Sequence, residues 1–184
     1  MSNCAKPQKT YKEEIQQHQY ELNTFYANEK ESPLTEKDLK EFKSLDFFEI
    51  NEDYKVIANF ELTPNTPIFE MKTTTERLPL YRRYGIATFT LNGKEFKLSV
   101  YQNQSLITSI EYKDHLFLPF NDLTNDKTSY GGGRYIDLTI PENESKTIVI
   151  DFNKSYNPYC AYNKKYSCPI PPAENFLDTK INAG

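Results

Sequence analysis

The stretch YGIATFTLNGKEFKLSVY, residues 84–101, decides the fold class of this 184-residue chain. Apolar and polar residues alternate on both sides of Asn92-Gly93, and a period of two is typical of half-buried strands. Asn-Gly is the preferred pair for a type I′ turn, because both central residues need positive φ. The register that this turn predicts places Leu91 opposite Lys94, Phe89 opposite Phe96, Ala87 opposite Leu98 and Gly85 opposite Val100.

Further strand-like runs lie on both sides of this hairpin. They cover residues 54–60, 68–71, 116–120, 134–140 and 147–152, with another strand beginning near Tyr81. Short strands at hairpin spacing are typical of antiparallel barrels and sandwiches. The sequence therefore predicts a mainly β fold with N-terminal helices, an antiparallel β-barrel or sandwich of about seven or eight strands. An irregular, proline-rich C-terminal segment would close it.

The N-terminal part has the 3.6-residue period of a helix rather than the period of a strand. Thr10 and Glu13 fit a capping box, which predicts a helix over residues 11–29, and Thr35 fits the N-cap of a second helix. We therefore predict a disordered N-terminus over residues 1–9 and a single domain over residues 10–184. Within that domain, residues 10–48 would be the helical part and residues 49–184 the β part.

Composition limits the classes of partner. The net charge of −4 argues against nucleic-acid binding, because such proteins present a basic face. The sequence has no apolar run long enough for a transmembrane helix. Cys4 could carry the lipid of a processed lipoprotein, which would place the protein in a bacterial cell envelope and provide its membrane contact. The alternative is an exposed thiol at a disordered terminus and a cytoplasmic location.

Two further cysteines, Cys160 and Cys168, follow in a Tyr- and Lys-rich stretch. They could form a disulfide in an oxidising compartment, bind a metal ion, or remain as two buried thiols. Their spacing is not that of a zinc knuckle, and His18 and His115 lie in unrelated segments. The candidate that we keep is the disulfide, and we predict no metal site.

The run YGGGRY, residues 130–135, is the densest candidate site. Three glycines can direct backbone N–H groups at an anion, or they can simply form a tight turn. Arg134 shares strand parity with Ile136, so it should point inward. Because a buried arginine cannot lose its proton, it needs a partner. We expect that partner to be Asp122, Asp151 or a ring of backbone carbonyls.

These residues belong to a set of motifs that resembles a known family. The sequence contains Phe120-Asn121-Asp122-Leu123-Thr124, the run YGGGRY, then DFNKSYNPYCAY from Asp151, YSCPIPPAEN from Tyr166, and a final Ala183-Gly184. In these motifs it resembles the uncharacterised bacterial family called domain of unknown function 1684 (DUF1684). The resemblance implies a common site in the C-terminal third, but it implies no activity.

Three hypotheses follow for the function, and none of them identifies a cofactor. The first is a small-molecule-binding β domain with a site for a polar or anionic ligand. The second is an enzyme of hydrolase or isomerase type, with Asp122 or Asp151 as base and Arg134 as charge stabiliser. The third is a structural or interaction domain without a ligand. The candidate ligand-binding residues are Asp122, Tyr130, Gly131, Gly132, Gly133, Arg134, Asp151, Asn153, Tyr156 and Asn157.

Overall fold

The computed structural model describes residues 9–184. Helix α1 (Tyr11–Ala27) and the short helix α2 (Glu36–Glu41) precede a mainly antiparallel sheet of eight strands that curls into a half-barrel. The strands are β1 (Lys55–Leu62), β2 (Ile68–Glu70), β3 (Leu80–Leu91), β4 (Lys94–Asn103), β5 (His115–Asp122), β6 (Arg134–Thr139), β7 (Thr147–Asp151) and β8 (Phe176–Leu177). The mainly β architecture with N-terminal helices is thus confirmed.

The sheet has the strand order β6-β5-β4-β3-β1-β7. Strand β2 pairs with β3, and β8 lies next to β5 as the one parallel pair among the strands of the described chain. Within residues 9–184 the end strands β6 and β7 do not pair with each other. The sheet is therefore open on that side, which is why the structure is a half-barrel rather than a closed barrel or a two-sheet sandwich.

The predicted hairpin is confirmed in every pair of its register. Phe89 lies opposite Phe96, and the two rings are 5.9 Å apart. Asn92 and Gly93 have φ values of 51° and 76°, as a type I′ turn requires. The local sequence therefore sets both the turn and the pairing of β3 with β4.

The two faces of the sheet carry different side chains, because successive residues of a strand point to opposite sides. Leu116 and Leu118 of β5 face the main core, which includes Ala58, Phe89, Leu98, Phe120, Ile136, Ile150, Phe152, Leu177 and Ile181. Phe117, between them, faces a second cluster with Met71, Tyr81, Tyr101 and Tyr135. The second face is thus aromatic, and it forms the floor of the candidate site below.

Helix α1 begins at the predicted capping box, in which the Thr10 hydroxyl accepts from the Glu13 amide. It ends at Ala27, two residues before the predicted end, where Asn28 adopts extended backbone. Its first residue is fixed to the end of β7, because the Tyr11 hydroxyl donates to Asp151 Oδ1 at 2.9 Å. The single domain stays a prediction, and only residues 11–27 and 36–41 of the predicted helical part are α-helical.

The C-terminal segment, which we define as residues 153–184, is irregular as predicted and runs over the sheet. Asn175 is fully buried and binds both neighbouring strands: its Oδ1 accepts from the Ser99 amide, and its Nδ2 donates to the carbonyls of Ser99 and Pro119. A single side chain therefore replaces several of the backbone hydrogen bonds that a regular strand would make.

Two of the predictions concern the N-terminus, namely disorder over residues 1–9 and a lipid on Cys4. The structure does not describe residues 1–8, so the lipid on Cys4 and the disorder of these eight residues lie outside the described residues and stay predictions. In the described part of the chain, no helix is both long and apolar enough to cross a membrane.

Candidate functional site

Arg134 is buried, as its strand parity predicted, with 3% of its surface exposed. Its Nη2 atom lies 3.1 Å from Asp122 Oδ1 and 2.8 Å from the Ile181 carbonyl oxygen, and its Nη1 donates to the Ala183 carbonyl. The predicted carboxylate partner is therefore Asp122 rather than Asp151, and backbone carbonyls complete the set.

Asp122 uses its second oxygen in the same network. Its Oδ2 accepts from the Ile181 amide at 2.8 Å and from the Thr124 amide at 3.2 Å. The cavity that Arg134 borders has a volume of about 60 Å³, which is small compared with ligand pockets of roughly 300–1,000 Å³. The Arg134–Asp122 pair is thus placed to hold the C-terminal segment against β5 and β6.

The glycine triplet forms a tight turn. Gly133 has a φ of 86°, and its amide donates to the Tyr130 carbonyl at 3.3 Å. A Cβ atom on Gly131 would overlap the Asp126 carboxylate, which packs against that backbone. The turn geometry therefore accounts for these glycines without an external anion.

Asp151 and Asn153 form a separate network at the start of α1. Asp151 Oδ1 accepts from the Tyr11 hydroxyl and from Asn153 Nδ2, at 2.9 and 3.2 Å. Asn153 Nδ2 also donates to the Asn51 carbonyl at 2.8 Å. This contact fixes the helix to the sheet, and it lies apart from the Arg134–Asp122 pair.

Cys160 and Cys168 are close to each other but are free thiols. The Cys160 amide donates to Cys168 Sγ at 3.1 Å, and the Tyr130 hydroxyl lies 3.8 Å from Cys160 Sγ. The candidate disulfide is thus not formed in this structure, and the Cys168 sulfur accepts a hydrogen bond from the Cys160 amide instead. Nearby, Asn157 Nδ2 donates to the Tyr162 hydroxyl at 3.1 Å.

The predicted residues therefore do not converge on one ligand pocket. Asp122 and Arg134 form one buried group, Asp151 and Asn153 a second, and Tyr130 lies beside Cys160 in a third. Tyr156 is the exception, because it borders both the small cavity beside Arg134 and a larger cleft.

This larger cleft, of about 530 Å³, lies between α1, the aromatic face of the sheet and the C-terminal segment. Aromatic rings dominate its walls. They include Phe25, Tyr81, Phe117, Tyr135, Tyr156 and Tyr159. Burial raises the pKa of most of these phenols, those of Tyr135 and Tyr156 most strongly, so they are neutral hydrogen-bond donors at physiological pH.

One end of the cleft contains a chain of polar side chains centred on Asp137. Its Oδ1 lies 2.8 Å from His115 Nε2, and its Oδ2 accepts from the Tyr156 hydroxyl at 2.8 Å. Burial, reinforced by the Asp137 charge, raises the pKa of Tyr156. A carboxylate that holds a histidine in place is a common element of acid–base sites.

His18, on α1, faces this chain from across the cleft. Its Nε2 atom is buried and has no hydrogen-bond partner within residues 9–184, and the same is true of His115 Nδ1. Burial and the nearby charge of Lys154 lower the pKa of His18. The imidazole is therefore neutral near pH 7 and has an unused hydrogen-bonding atom.

Apart from Tyr156 and Cys168, the residues that line this cleft are not among the predicted site residues. Asp137 has the strand parity opposite to that of Arg134 and so points outward, but nothing local indicates that His115 of β5 shares that face. The pairing of Phe117 with Asp137 decides it. His18 comes from a helix about a hundred residues upstream, and only tertiary packing brings it here. Within residues 9–184, no three His, Cys, Asp or Glu side chains are grouped as a metal site.

Comparison with known proteins identifies the family. The model of a family described as a protein of unknown function (DUF1684) matches residues 40–184. The chain belongs to DUF1684. The match includes the sheet and the C-terminal segment, and therefore every wall of the cleft except α1. The resemblance seen in the sequence motifs is thus confirmed.

A solved structure is also similar to this DUF1684 protein. It is the solution NMR structure of an uncharacterized protein of Haloarcula marismortui, which is 30% identical in sequence. The similarity covers 95% of this chain and 92% of that one, with a TM-score of 0.72. The comparison with curated proteins finds no match.

Proposed function

We propose that this DUF1684 protein binds a small molecule with an aromatic or apolar ring and an anionic group, in the cleft beneath α1. The volume of about 530 Å³ lies within the range of roughly 300–1,000 Å³ that is common for ligand pockets. Mostly aromatic walls with a few polar groups are also typical of such pockets. The observation that carries the proposal is this combination of aromatic walls with polar atoms that have no partner.

The charges around the cleft favour an anion. Arg77 and Lys154 line it, against the single carboxylate of Asp137. Neither cation forms a salt bridge within residues 9–184. Among the described residues, the Arg77 guanidinium donates only to Ser167, through Nε at 3.0 Å and Nη2 at 2.8 Å. A ligand carboxylate or phosphate would compensate these charges, and guanidinium groups bind both well.

His18 adds a specific contact to this arrangement. Its buried Nε2 atom lacks a partner, and leaving a buried polar atom unsatisfied costs about 1–3 kcal/mol. A ligand that supplies a hydrogen bond there would recover that cost. We therefore place the polar end of the ligand between His18 and Lys154, with its ring against the aromatic face of the sheet.

Acid–base catalysis in the same cleft is the second candidate function. The contacts of Asp137 with His115 and Tyr156 favour it, and they replace the earlier hypothesis based on Asp122 or Asp151. Both of those carboxylates are buried in hydrogen bonds outside the cleft. Such catalysis would depend on His115, so we expect His115→Asn to abolish hydrolysis of 4-nitrophenyl acetate. Unchanged hydrolysis would contradict this role.

The binding proposal is tested with benzoate as the probe and uncharged benzamide as its matched analogue. In an NMR titration of the whole protein, benzoate should shift the signals of His18, Phe117 and Tyr135 at lower concentration than benzamide does. Lys154→Met should weaken benzoate binding several-fold, because one compensating charge is lost. Lys164→Met is the control, since Lys164 is an exposed lysine of the same segment that does not line the cleft.

Two results would contradict the proposal. One is a set of benzoate-induced shifts confined to residues outside the cleft. The other is an equal effect of Lys154→Met and Lys164→Met, which would indicate attraction by net charge rather than by a site.

A further inference from the structure

The two thiols at the edge of the cleft already have the proximity that a disulfide needs. The Cys160 amide nitrogen lies 3.1 Å from Cys168 Sγ. Disulfides join Cα atoms about 4.4–6.8 Å apart. Since the amide nitrogen is one bond from its Cα and the sulfur two bonds from its own, rotation of the side chains could close the remaining distance.

The two cysteines belong to different segments beside the cleft, because Cys168 lines it and Cys160 follows Tyr159, which also lines it. Cys168 lines the cleft and is fixed to the chain that precedes β3, because the Thr74 amide donates to its carbonyl at 2.9 Å. Cys160 lies in a short 3-10 helix, Tyr159–Ala161, whose Tyr159 ring stacks on Phe25 of α1 at 6.2 Å. A bond between them would therefore connect the side of the cleft formed by α1 to the side fixed to the sheet.

We propose that Cys160 and Cys168 form a reversible disulfide with a small-molecule disulfide such as oxidised glutathione, and that this bond rigidifies the wall of the cleft. The Cys160 thiolate attacks one sulfur of oxidised glutathione, forms a mixed disulfide and releases one glutathione thiolate. Cys168, after losing its proton to solvent, attacks the Cys160 sulfur and releases the second glutathione. Two protein thiols are oxidised, and one glutathione disulfide is reduced to two thiols.

The exposure of the two side chains sets the order of these steps. Cys160 is half-buried and accessible to a small molecule, whereas Cys168 is buried, with 6% of its surface exposed. Burial and the neighbouring Cys160 thiol raise the pKa of Cys168 to about 12. Because the thiolate is the nucleophile, Cys160 reacts first with the external disulfide. Cys168, whose sulfur already contacts the Cys160 amide, then completes the bond.

Formation of the disulfide between Cys160 and Cys168 does not depend on a ligand in the cleft. It is tested on the whole chain with Cys4→Ser, so that Cys160 and Cys168 are the two remaining cysteines. The protein is equilibrated in glutathione buffers of increasing oxidation, quenched in acid, alkylated and digested. Mass spectrometry should then find one intramolecular bond between Cys160 and Cys168, which dithiothreitol reverses.

Cys4→Ser with Cys160→Ser is the matched control, and it should give no internal bond. The inference is overturned if Cys160 and Cys168 remain fully alkylatable, if they accumulate only as glutathione adducts, or if disulfides form only between molecules. The effect on the cleft is measured by hydrogen exchange of the amides over residues 159–169. We expect exchange about tenfold slower in the oxidised protein, as a cross-link limits local opening, and equal rates would overturn the rigidification.

Discussion

Arg134 Nη2 lies 3.1 Å from Asp122 Oδ1, and the two side chains are only 3% and 0% exposed. The pair connects the end of β5 and the start of β6 to the C-terminal segment, through the Ile181 amide and the carbonyls of Ile181 and Ala183. It lies beside a cavity too small for a ligand, so we expect mutation to affect stability rather than binding.

Arg134→Met should lower the free energy of unfolding by about 3–5 kcal/mol, because it leaves the Asp122 carboxylate buried without its partner. Urea denaturation measures this change. Lys94→Met is the control: it breaks an ion pair with Asp178 whose side chains are 53% and 70% exposed, and such pairs contribute less than about 1 kcal/mol. Equal losses in the two variants would mean that the Arg134–Asp122 pair is not structural.

Asn175→Ala should destabilise the protein by about 2–4 kcal/mol, since it leaves the Ser99 amide and the Pro119 carbonyl buried without partners. Asn65→Ala, at an exposed position in the turn after β1, serves as the comparison. Thermal unfolding of both variants tests the prediction. A melting temperature of the Asn175 variant equal to that of the Asn65 variant would contradict it.

Gly133→Ala should cost more stability than Gly93→Ala. Both glycines have positive φ, 86° and 76°, and alanine there costs about 1–2 kcal/mol. A Cβ on Gly133 would also lie 2.6 Å from Asn121 Oδ1 and from Pro171, whereas one on Gly93 would meet nothing within 4 Å. The free energies of unfolding of the two variants, measured by denaturation, should therefore differ by about 1–3 kcal/mol, the usual cost of overpacking.

His18 should make the protein less stable as the pH falls. Burial lowers its pKa in the folded state below the ordinary value of 6.5. The unfolded chain therefore binds a proton at a higher pH than the folded chain does, and stability is lost as the pH falls from about 6.5 to the folded pKa. His18→Gln should reduce this loss, measured by urea denaturation across that interval. An NMR titration that gives His18 a pKa above 6.5 would contradict the prediction.

Local patterns in the sequence determined a large part of the fold. The Asn92-Gly93 turn set the register of β3 and β4, because a two-residue loop leaves one choice of pairing. Thr10 and Glu13 set the start of α1 through a capping box. Alternation along residues 134–140 pointed Arg134 inward, and its charge required a partner. These features depend on residues a few positions apart, so the chain alone specifies them.

Only the tertiary structure decided which distant groups meet. In the folded protein Arg134 pairs with Asp122 rather than with Asp151, and Asp151 accepts a hydrogen bond from Tyr11 instead. The tertiary structure also left the sheet open and placed His18 of α1 opposite Asp137 of β6 in one cleft. Contacts across such separations depend on how the sheet curls and how α1 packs on its aromatic face. Those outcomes minimise the free energy of the whole domain, and no local period or turn encodes them.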